Sequence, residues 1–300
     1  MLSFKKFDKN IFISILKMTK PHREISCVND ILSFIDDYKI NIDLFERIKG
    51  AKCTKGINAS IYLYIERATK KQVVAKIVDI KRQEKRFYNK IALNVFVSCH
   101  PCFNKFIGFS LIKNNGRIFL EFCPNWSLDV ILEQKRKEES KVDLNDTNKL
   151  IIIYGIATGM AFLHSHDIIN GNLKPENVLL DEYLHPKLCD FGTMEEVDHE
   201  EVAFQQNVAK IIPPEFLEDY EKYARTKPID VFLFAMVVYE IITEDEPFAG
   251  YNRFQIIEKT LKKERPEFNK PIAECYRNLI ERCWSHEPEK RPTFDEIVEE

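Results

Sequence analysis

The chain has 300 residues and a formal net charge of −3, with 44 lysines and arginines against 47 aspartates and glutamates. Hydrophobic residues make up 45% of the chain, a share that excludes an intrinsically disordered protein and is typical of a globular one. The nearly balanced charge argues against a protein that binds nucleic acid through bulk positive charge, so we expect no nucleic-acid partner.

Residues 1–43 form a lysine-rich extension in which apolar residues at helical spacing predict a short helix near 28–38. The apolar run at 11–16 is too short for the core of a signal peptide. No later run reaches the length of about 20 residues that a membrane span needs. We therefore expect a cytoplasmic protein without a transmembrane segment. Its basic arm is expected to be solvated, with contact to an acidic surface or a partner as the alternative.

The region 44–122 has the sequence patterns of a small sheet with one main helix. In chain order, the patterns predict strands at 60–66 and 72–78, a helix at 82–99, and strands at 106–112 and 117–122. A polar turn separates the first two strands and predicts a hairpin. A second turn, at 114–116, is predicted between the last two strands.

After residues 123–125 the chain becomes mainly helical. The apolar periodicity predicts helices at 146–166, 228–243, 277–284 and 293–299. The helix at 228–243 is apolar nearly all round, which is typical of a helix buried on most sides. A β-rich lobe followed by a helical lobe is an α+β fold. The eight cysteines are scattered, which favours free buried thiols over a disulfide framework or a metal site.

Several motifs, in a fixed order, resemble those of the protein kinases, in particular the tyrosine-kinase-like group. They are Val73-Val74-Ala75-Lys76, the run from Leu173 to Leu180, the run from Lys187 to Gly192, Pro213-Pro214-Glu215, Asp230-Val231, Cys283-Trp284, and Arg291-Pro292-Thr293-Phe294. The resemblance implies a two-lobed kinase-like domain over 44–300. Its N-lobe is expected at about 44–122, its hinge at about 121–125 and its C-lobe at about 126–300.

The resemblance also implies a site for ATP and Mg²⁺. Lys76 would contact the α- and β-phosphates, and Asp190 and Asn177 would hold the metal ion. Lys174 would neutralise charge on the phosphoryl group as it transfers. The other nucleotide-binding positions that the resemblance implies are Gly56, Ile61, Val74, Leu120, Glu121, Cys123 and Leu179. Glu215 and Arg291 are expected to form a buried ion pair with a structural role.

The sequence departs from the kinase pattern at the catalytic loop. Asn172 stands where the resemblance implies a catalytic aspartate, and an amide cannot accept a proton. General-base catalysis contributes about 10²–10⁴-fold in rate, so this change alone is severe. Gly171 replaces the arginine that would receive an activation-loop phosphate, and the segment 194–215 contains no serine, threonine or tyrosine.

Two further departures fall in the N-lobe. Thr54 and Ala59 occupy two of the three glycine positions of the phosphate loop, where glycines allow the backbone to approach the phosphates closely. Lys90 stands where a glutamate partner for Lys76 is expected, and Glu84 is the only nearby carboxylate that could substitute.

These departures affect the base, the phosphate clamp, the positioning of the lysine and the activation switch. They predict a pseudokinase with weakened binding of ATP and Mg²⁺ that acts as a regulatory or scaffolding module for a partner protein or partner kinase. Two alternatives remain: a low-activity serine/threonine kinase that transfers the γ-phosphate to protein, and a scaffold that binds no nucleotide.

Overall fold

A computed structural model of the chain describes residues 28–50, 60–81, 84–191, 212–218 and 226–300. The chain divides into two compact units, Met1–Phe122 and Cys123–Glu300. In the first unit an antiparallel sheet packs with one long helix, and the second unit is mainly helical. The predicted α+β fold class is confirmed.

The sheet of the first unit has five antiparallel strands in the order β1-β2-β3-β5-β4. The strands are β1 (Phe45–Arg47), β2 (Ser60–Glu66), β3 (Gln72–Asp79), β4 (Phe106–Ile112) and β5 (Asn115–Glu121). The predicted hairpin is confirmed, with Ser60 paired to Ile77 in β3. The predicted turn at 114–116 is wrong: the turn is at 113–114, and Gly116 pairs within β5.

A close contact with a helix explains why Gly116 belongs to a strand. The long helix of this unit covers one face of the sheet, and its Phe87 ring lies directly over Gly116. A Cβ atom at Gly116 would be 2.3 Å from an atom of that ring. The glycine is therefore required by packing and not by the turn. The opposite face of the sheet carries the cluster Phe45, Tyr64, Val73, Ala75 and Phe119.

In the described residues of the first unit, one helix precedes the sheet and a second lies between β3 and β4. They are α1 (Val28–Leu32) and α2 (Glu84–Val97), and two single 3₁₀ turns, Ile35–Tyr38 and Ile42–Leu44, follow α1. The helix predicted near 28–38 is therefore interrupted. Its α-helical part ends at Leu32, where the N–H of Phe34 bonds to the Ile31 carbonyl in a turn.

The described residues of the second unit contain the four predicted helices and three that were missed. The confirmed helices, with shifted ends, are α4 (Asp146–Ser165), α6 (Lys227–Thr243), α8 (Glu274–Cys283) and α9 (Phe294–Glu299). The missed helices are α3 (Leu128–Arg136), α5 (Pro214–Glu218) and α7 (Arg253–Leu261). Every residue of α6 from 229 to 239 is buried, as its all-apolar pattern predicts. Across the described ranges, the helices are all too short or too polar to span a membrane.

The predicted ion pair between Glu215 and Arg291 is confirmed. Two guanidinium nitrogens of Arg291 donate to the two carboxylate oxygens of Glu215 at 2.6 and 2.7 Å. The side chains are 3% and 0% exposed. Arg291 also donates to the carbonyls of Ser285 and Pro228, both at 2.9 Å. This hydrogen bonding ties α5 to the start of α6 and to the loop before α9.

The six cysteines in the described ranges are all free. Cys102, Cys123 and Cys283 are buried, Cys189 is intermediate, and Cys99 and Cys275 are exposed. The prediction of free thiols is confirmed for these six, but burial holds for only three of them. Cys27 and Cys53 lie outside the described residues.

Helix α8 offers a matched pair of thiols, because Cys275 is exposed and Cys283 is fully buried. Burial raises the pKa of Cys283 to about 12, so about one Cys283 thiol in 10⁴ would be ionised at pH 8. We expect iodoacetamide to alkylate Cys275 at least about 10³-fold faster than Cys283 in the folded chain. Peptide mass spectrometry over time measures both rates. In urea the rates should converge, and equal rates in the folded chain would contradict the prediction.

Candidate functional site

A two-stranded ribbon in the second unit brings two of the predicted metal ligands together. Strands β6 (Val178–Leu180) and β7 (Pro186–Leu188) are antiparallel, with Val178 opposite Leu188. The residues just outside the ribbon are therefore also neighbours, and the N–H of Cys189 donates to the Asn177 carbonyl at 3.0 Å. Asn177 and Asp190 consequently lie at the same end of the ribbon.

The donor atoms at this end of the ribbon suit Mg²⁺. Asn177 is 8% exposed, and its Nδ2 donates to the Asn172 carbonyl at 2.7 Å. This bond leaves the side-chain oxygen of Asn177 as the atom for a cation. Asp190 is exposed and follows β7 with a φ of 55°. A Mg²⁺ ion that also binds substrate phosphates needs only one or two protein ligands of this oxygen type, so the residues fit.

The loop that precedes Asn177 is anchored by hydrogen bonds to a buried carboxylate. Asp230, at the start of α6, is 0% exposed. It accepts hydrogen bonds from the N–H of Asn170 at 2.8 Å and from the N–H of Gly171 at 2.7 Å. His164 Nε2 lies 2.9 Å from Asp230 Oδ2 and donates to it, since a carboxylate only accepts. Asp230 therefore fixes the loop through two backbone N–H groups, and the imidazole of His164 holds Asp230 in turn.

Sequence reasoning missed this role of Asp230. The sequence places Asp230 only among the motifs that resemble those of the protein kinases. A carboxylate in the first turn of a helix that is otherwise apolar nearly all round is the signal that could have revealed it. A fully buried charge must have hydrogen-bond partners, and partners on a neighbouring loop are the obvious candidates.

Asn172 uses its side chain as a hydrogen-bond donor. Its Nδ2 donates to the Asp190 carbonyl at 2.9 Å, and its backbone N–H donates to Asn170 Oδ1 at 3.1 Å. A carboxylate at this position has no hydrogen to donate and could not make the first bond. Gly171 has a φ of 65°, a conformation that glycine adopts without the strain a side chain would bring.

Of the remaining predicted residues of the second unit, Lys174 and Leu179 lie close to this loop in the chain, whereas Cys123 does not. Lys174 directly precedes the 3₁₀ turn Pro175–Asn177 and is half-buried. Leu179 lies in β6 opposite Lys187. Cys123, the first residue of this unit, is 7% exposed.

The first unit brings together a second group of predicted residues. Ile61 in β2 is opposite Lys76 in β3, and Val74 in β3 is opposite Leu120 in β5. Because Val74 and Lys76 are two residues apart in one strand, all four side chains share one face of the sheet. The neighbouring Glu121 accepts a hydrogen bond from the N–H of Lys105 at 2.9 Å.

Some predicted features lie outside the described residues or gain no support. Gly56, with the rest of the phosphate loop, and the acidic segment after Thr193 fall in undescribed ranges. Glu84 is the only acidic residue of α2 and is exposed in its first turn. Within the described part of the chain it forms no ion pair, so the structure does not favour Glu84 as a substitute partner for Lys76.

Residues 49–300 match the model of a family described as protein tyrosine and serine/threonine kinase. Serine/threonine-protein kinase 12 of Arabidopsis thaliana is 30% identical over 276 residues, which are 88% of this chain and 57% of that protein. Serine/threonine/tyrosine-protein kinase HT1 of the same plant is 29% identical over 270 residues, or 85% of this chain and 66% of that protein.

A third relative shows that the similarity also extends to much longer proteins. Leucine-rich repeat serine/threonine-protein kinase 1 of Mus musculus is 30% identical over 207 residues, which are 66% of this chain and 10% of the mouse protein. For three further relatives the chain spans 13% to 15% of their length. The chain therefore spans less than two thirds of the curated relatives described here.

Proposed function

The chain belongs to the family of protein tyrosine and serine/threonine kinases, as its motifs predict, and we propose that it is a pseudokinase within that family. Members of the family use ATP and Mg²⁺. Our proposal is that this chain binds ATP with Mg²⁺ and acts as a regulatory or scaffolding module for a partner protein, with little or no phosphoryl transfer. The observation that carries the proposal is that Asn172 has an amide in place of a carboxylate and uses it as a hydrogen-bond donor.

Asn172 lacks the chemistry of a catalytic base. Its amide cannot accept a proton at neutral pH, and its Nδ2 is already hydrogen-bonded to the Asp190 carbonyl at 2.9 Å. A general base typically contributes about 10²–10⁴-fold in rate, and that contribution is absent. The side chain is used to join two loops of the site, which is a structural role.

The retained residues support nucleotide binding. Lys76 would supply a positive charge for the phosphates, and Asn177 and Asp190 would hold the metal ion with two oxygen atoms. The bound Mg²⁺ would neutralise phosphate charge. Lys174 would add a further positive charge on the side of the transferring group. The changes at Thr54 and Ala59 are expected to weaken this binding.

One observation favours a second candidate, a slow serine/threonine kinase. The loop around Asn172 is fully anchored, because Asp230 accepts hydrogen bonds from the N–H groups of Asn170 and Gly171. A hydroxyl substrate could be positioned by such a loop without a base. Relatives that are named serine/threonine kinases agree with this candidate as well as with the first.

We expect ATP with Mg²⁺ to raise the thermal midpoint of the chain and generic protein substrates to receive no γ-phosphate. At a ligand concentration ten times the dissociation constant, binding stabilises by about 1.4 kcal/mol, which corresponds to a rise of about 2 °C for a protein of this size. Asp190→Asn should abolish the rise by removing a metal ligand. Differential scanning fluorimetry and transfer of radiolabelled phosphate are the two measurements.

Glu182→Gln is the matched control, because Glu182 is an exposed carboxylate at the tip of the same ribbon. It should leave the thermal shift unchanged. Phosphate transfer that disappears in Asp190→Asn would establish the slow kinase and refute the pseudokinase. The absence of any thermal shift at millimolar ATP and Mg²⁺ would refute nucleotide binding and leave the scaffold.

A further inference from the structure

Residues 28–44, which we call the strap, precede the part of the chain that matches the kinase family. The family match begins at residue 49. The strap comprises α1 and the two 3₁₀ turns, and it packs against α2 and β4 of the same unit. Ile31 is 0% exposed and Ile35 is 9% exposed. A segment outside the family match therefore buries apolar side chains in the first unit.

The strap lies along the free edge of the sheet. Strand β4 is an edge strand, with β5 as its only neighbour in the described sheet. The N–H of Ile40 donates to the Phe109 carbonyl of β4 at 2.8 Å, and Lys39 forms a parallel bridge with the same residue. The Tyr38 ring packs edge-on against Phe106, with centroids 5.9 Å apart. The strap thus covers backbone groups that an edge strand would otherwise expose.

The strap passes so close to Gly108 in β4 that there is no space for a side chain at this position. A Cβ atom at Gly108 would lie 2.3 Å from Ile40 Cγ2 and 2.9 Å from the Tyr38 carbonyl oxygen. Real Cβ atoms do not approach other atoms so closely, so any side chain here would displace the strap. The chain has only 9 glycines, and one of them lies directly beneath this segment.

The strap also contacts α2. Helix α1 packs against α2, and the first 3₁₀ turn packs against both α2 and β4. Tyr88 of α2 lies at this junction, with its ring edge-on to Phe109 at 6.1 Å. The first 3₁₀ turn contains Asp36 and packs against α2. Burial, followed by the carboxylates of Glu84 and Asp36, raises the pKa of Tyr88.

Helix α2 is also held by its own buried side chains, and Ser98, directly after the helix, accepts a hydrogen bond from the Phe106 N–H of β4 at 2.9 Å. The only acidic residue of α2, Glu84, is exposed at its first turn. Among the described contacts of α2 with the sheet, the Phe87 ring lies over Gly116. The strap adds a connection between α2 and the edge strand β4, through buried side chains and a backbone hydrogen bond.

We propose that the strap holds α2 in place on the sheet, so that displacing residues 28–44 releases α2 without unfolding the rest of the chain. The strap is then a control element of the first unit: whatever binds or pulls the N-terminal residues acts on α2. This inference does not depend on whether the chain binds nucleotide or transfers phosphate.

Hydrogen exchange measured by mass spectrometry on the full chain tests the proposal. The double variant Ile31→Ala/Tyr38→Ala removes the buried anchor and the ring contact with Phe106. We expect exchange of the α2 amides to become at least about tenfold faster, while the amides of α4 and α6 in the second unit keep their rates. Leu44→Ala is the matched control, since Leu44 belongs to the strap but is 53% exposed.

Gly108→Ala perturbs the same contact from β4 and leaves the amino-acid sequence of the strap unchanged. It should also speed hydrogen exchange in α2. Unchanged α2 exchange, with faster exchange confined to residues 28–44, would overturn the proposal and make the strap peripheral. Faster exchange throughout α2, α4 and α6 would also overturn it, because the residues would then support global stability only.

Discussion

Replacing Arg291 with alanine is expected to lower the free energy of unfolding of the second unit by about 3–5 kcal/mol. The substitution leaves the Glu215 carboxylate buried, at 3% exposure, without its partner. It also removes the donors to the carbonyls of Ser285 and Pro228. An uncompensated buried charge is the largest of these losses, since breaking a buried pair from one side costs far more than the pair contributes as a whole.

Urea unfolding monitored by tryptophan fluorescence measures this loss of unfolding free energy in the second unit. The chain has two tryptophans, Trp126 and Trp284, and both belong to the second unit. Arg282→Ala is the matched control, because Arg282 pairs with Glu300 at the surface with both side chains about half exposed. Exposed pairs contribute about 1 kcal/mol or less. A loss of less than 1 kcal/mol for Arg291→Ala would show that the buried pair is not needed for stability.

Much of the fold could be predicted because long elements carry either a clear period or a long continuous apolar run. The alternating strands 60–66 and 72–78 and the apolar helix at 228–243 lie close to their predicted positions. Helices α3 and α7 were missed because each has only 9 residues, which is shorter than the window of about 11–18 residues over which a helical period is recognised. The turn before β5 was misplaced for a tertiary reason, because Gly116 is required by the Phe87 ring.

Only those parts of the candidate site that depend on residues close together in the sequence could be predicted. The approach of Asn177 and Asp190 follows from a ribbon between them, which is a local feature. The anchoring of the loop by Asp230 depends on hydrogen bonds between residues 59 and 60 positions apart, and no local pattern encodes them. The donor role of Asn172 depends on where the Asp190 carbonyl points, which only the folded chain shows.

These long-range bonds refine the interpretation of the catalytic loop. Sequence comparison with kinases treats Asn172 and Gly171 as losses. In the folded chain Asn172 donates to the neighbouring loop, and Gly171 fits a left-handed backbone while its N–H bonds to Asp230. Both residues therefore suit a well-ordered loop without a base. A binding or scaffolding role needs that order, whereas rapid phosphoryl transfer needs the base in addition.

Asp230→Ala is expected to destabilise the second unit by about 3 kcal/mol or more and to loosen the loop at 170–172. The variant leaves three buried or half-buried donors without an acceptor, and each unsatisfied donor costs about 1–3 kcal/mol. Asp230→Asn should be nearly as damaging, because one of its two terminal atoms becomes a donor facing an N–H or the His164 ring. Urea unfolding and hydrogen exchange of the Asn170 and Gly171 amides measure the two effects.

The control for Asp230 is Asp245→Asn, which changes a partly exposed carboxylate that pairs with Lys270 beyond the other end of α6. It should cost about 1 kcal/mol or less. Because Asn177 Nδ2 is bonded to the Asn172 carbonyl, loosening the loop should also misplace the oxygen of Asn177. We therefore expect Asp230→Asn to reduce the thermal shift with ATP and Mg²⁺. A normal shift with a loosened loop would mean that Asn177 takes no part in holding the metal ion.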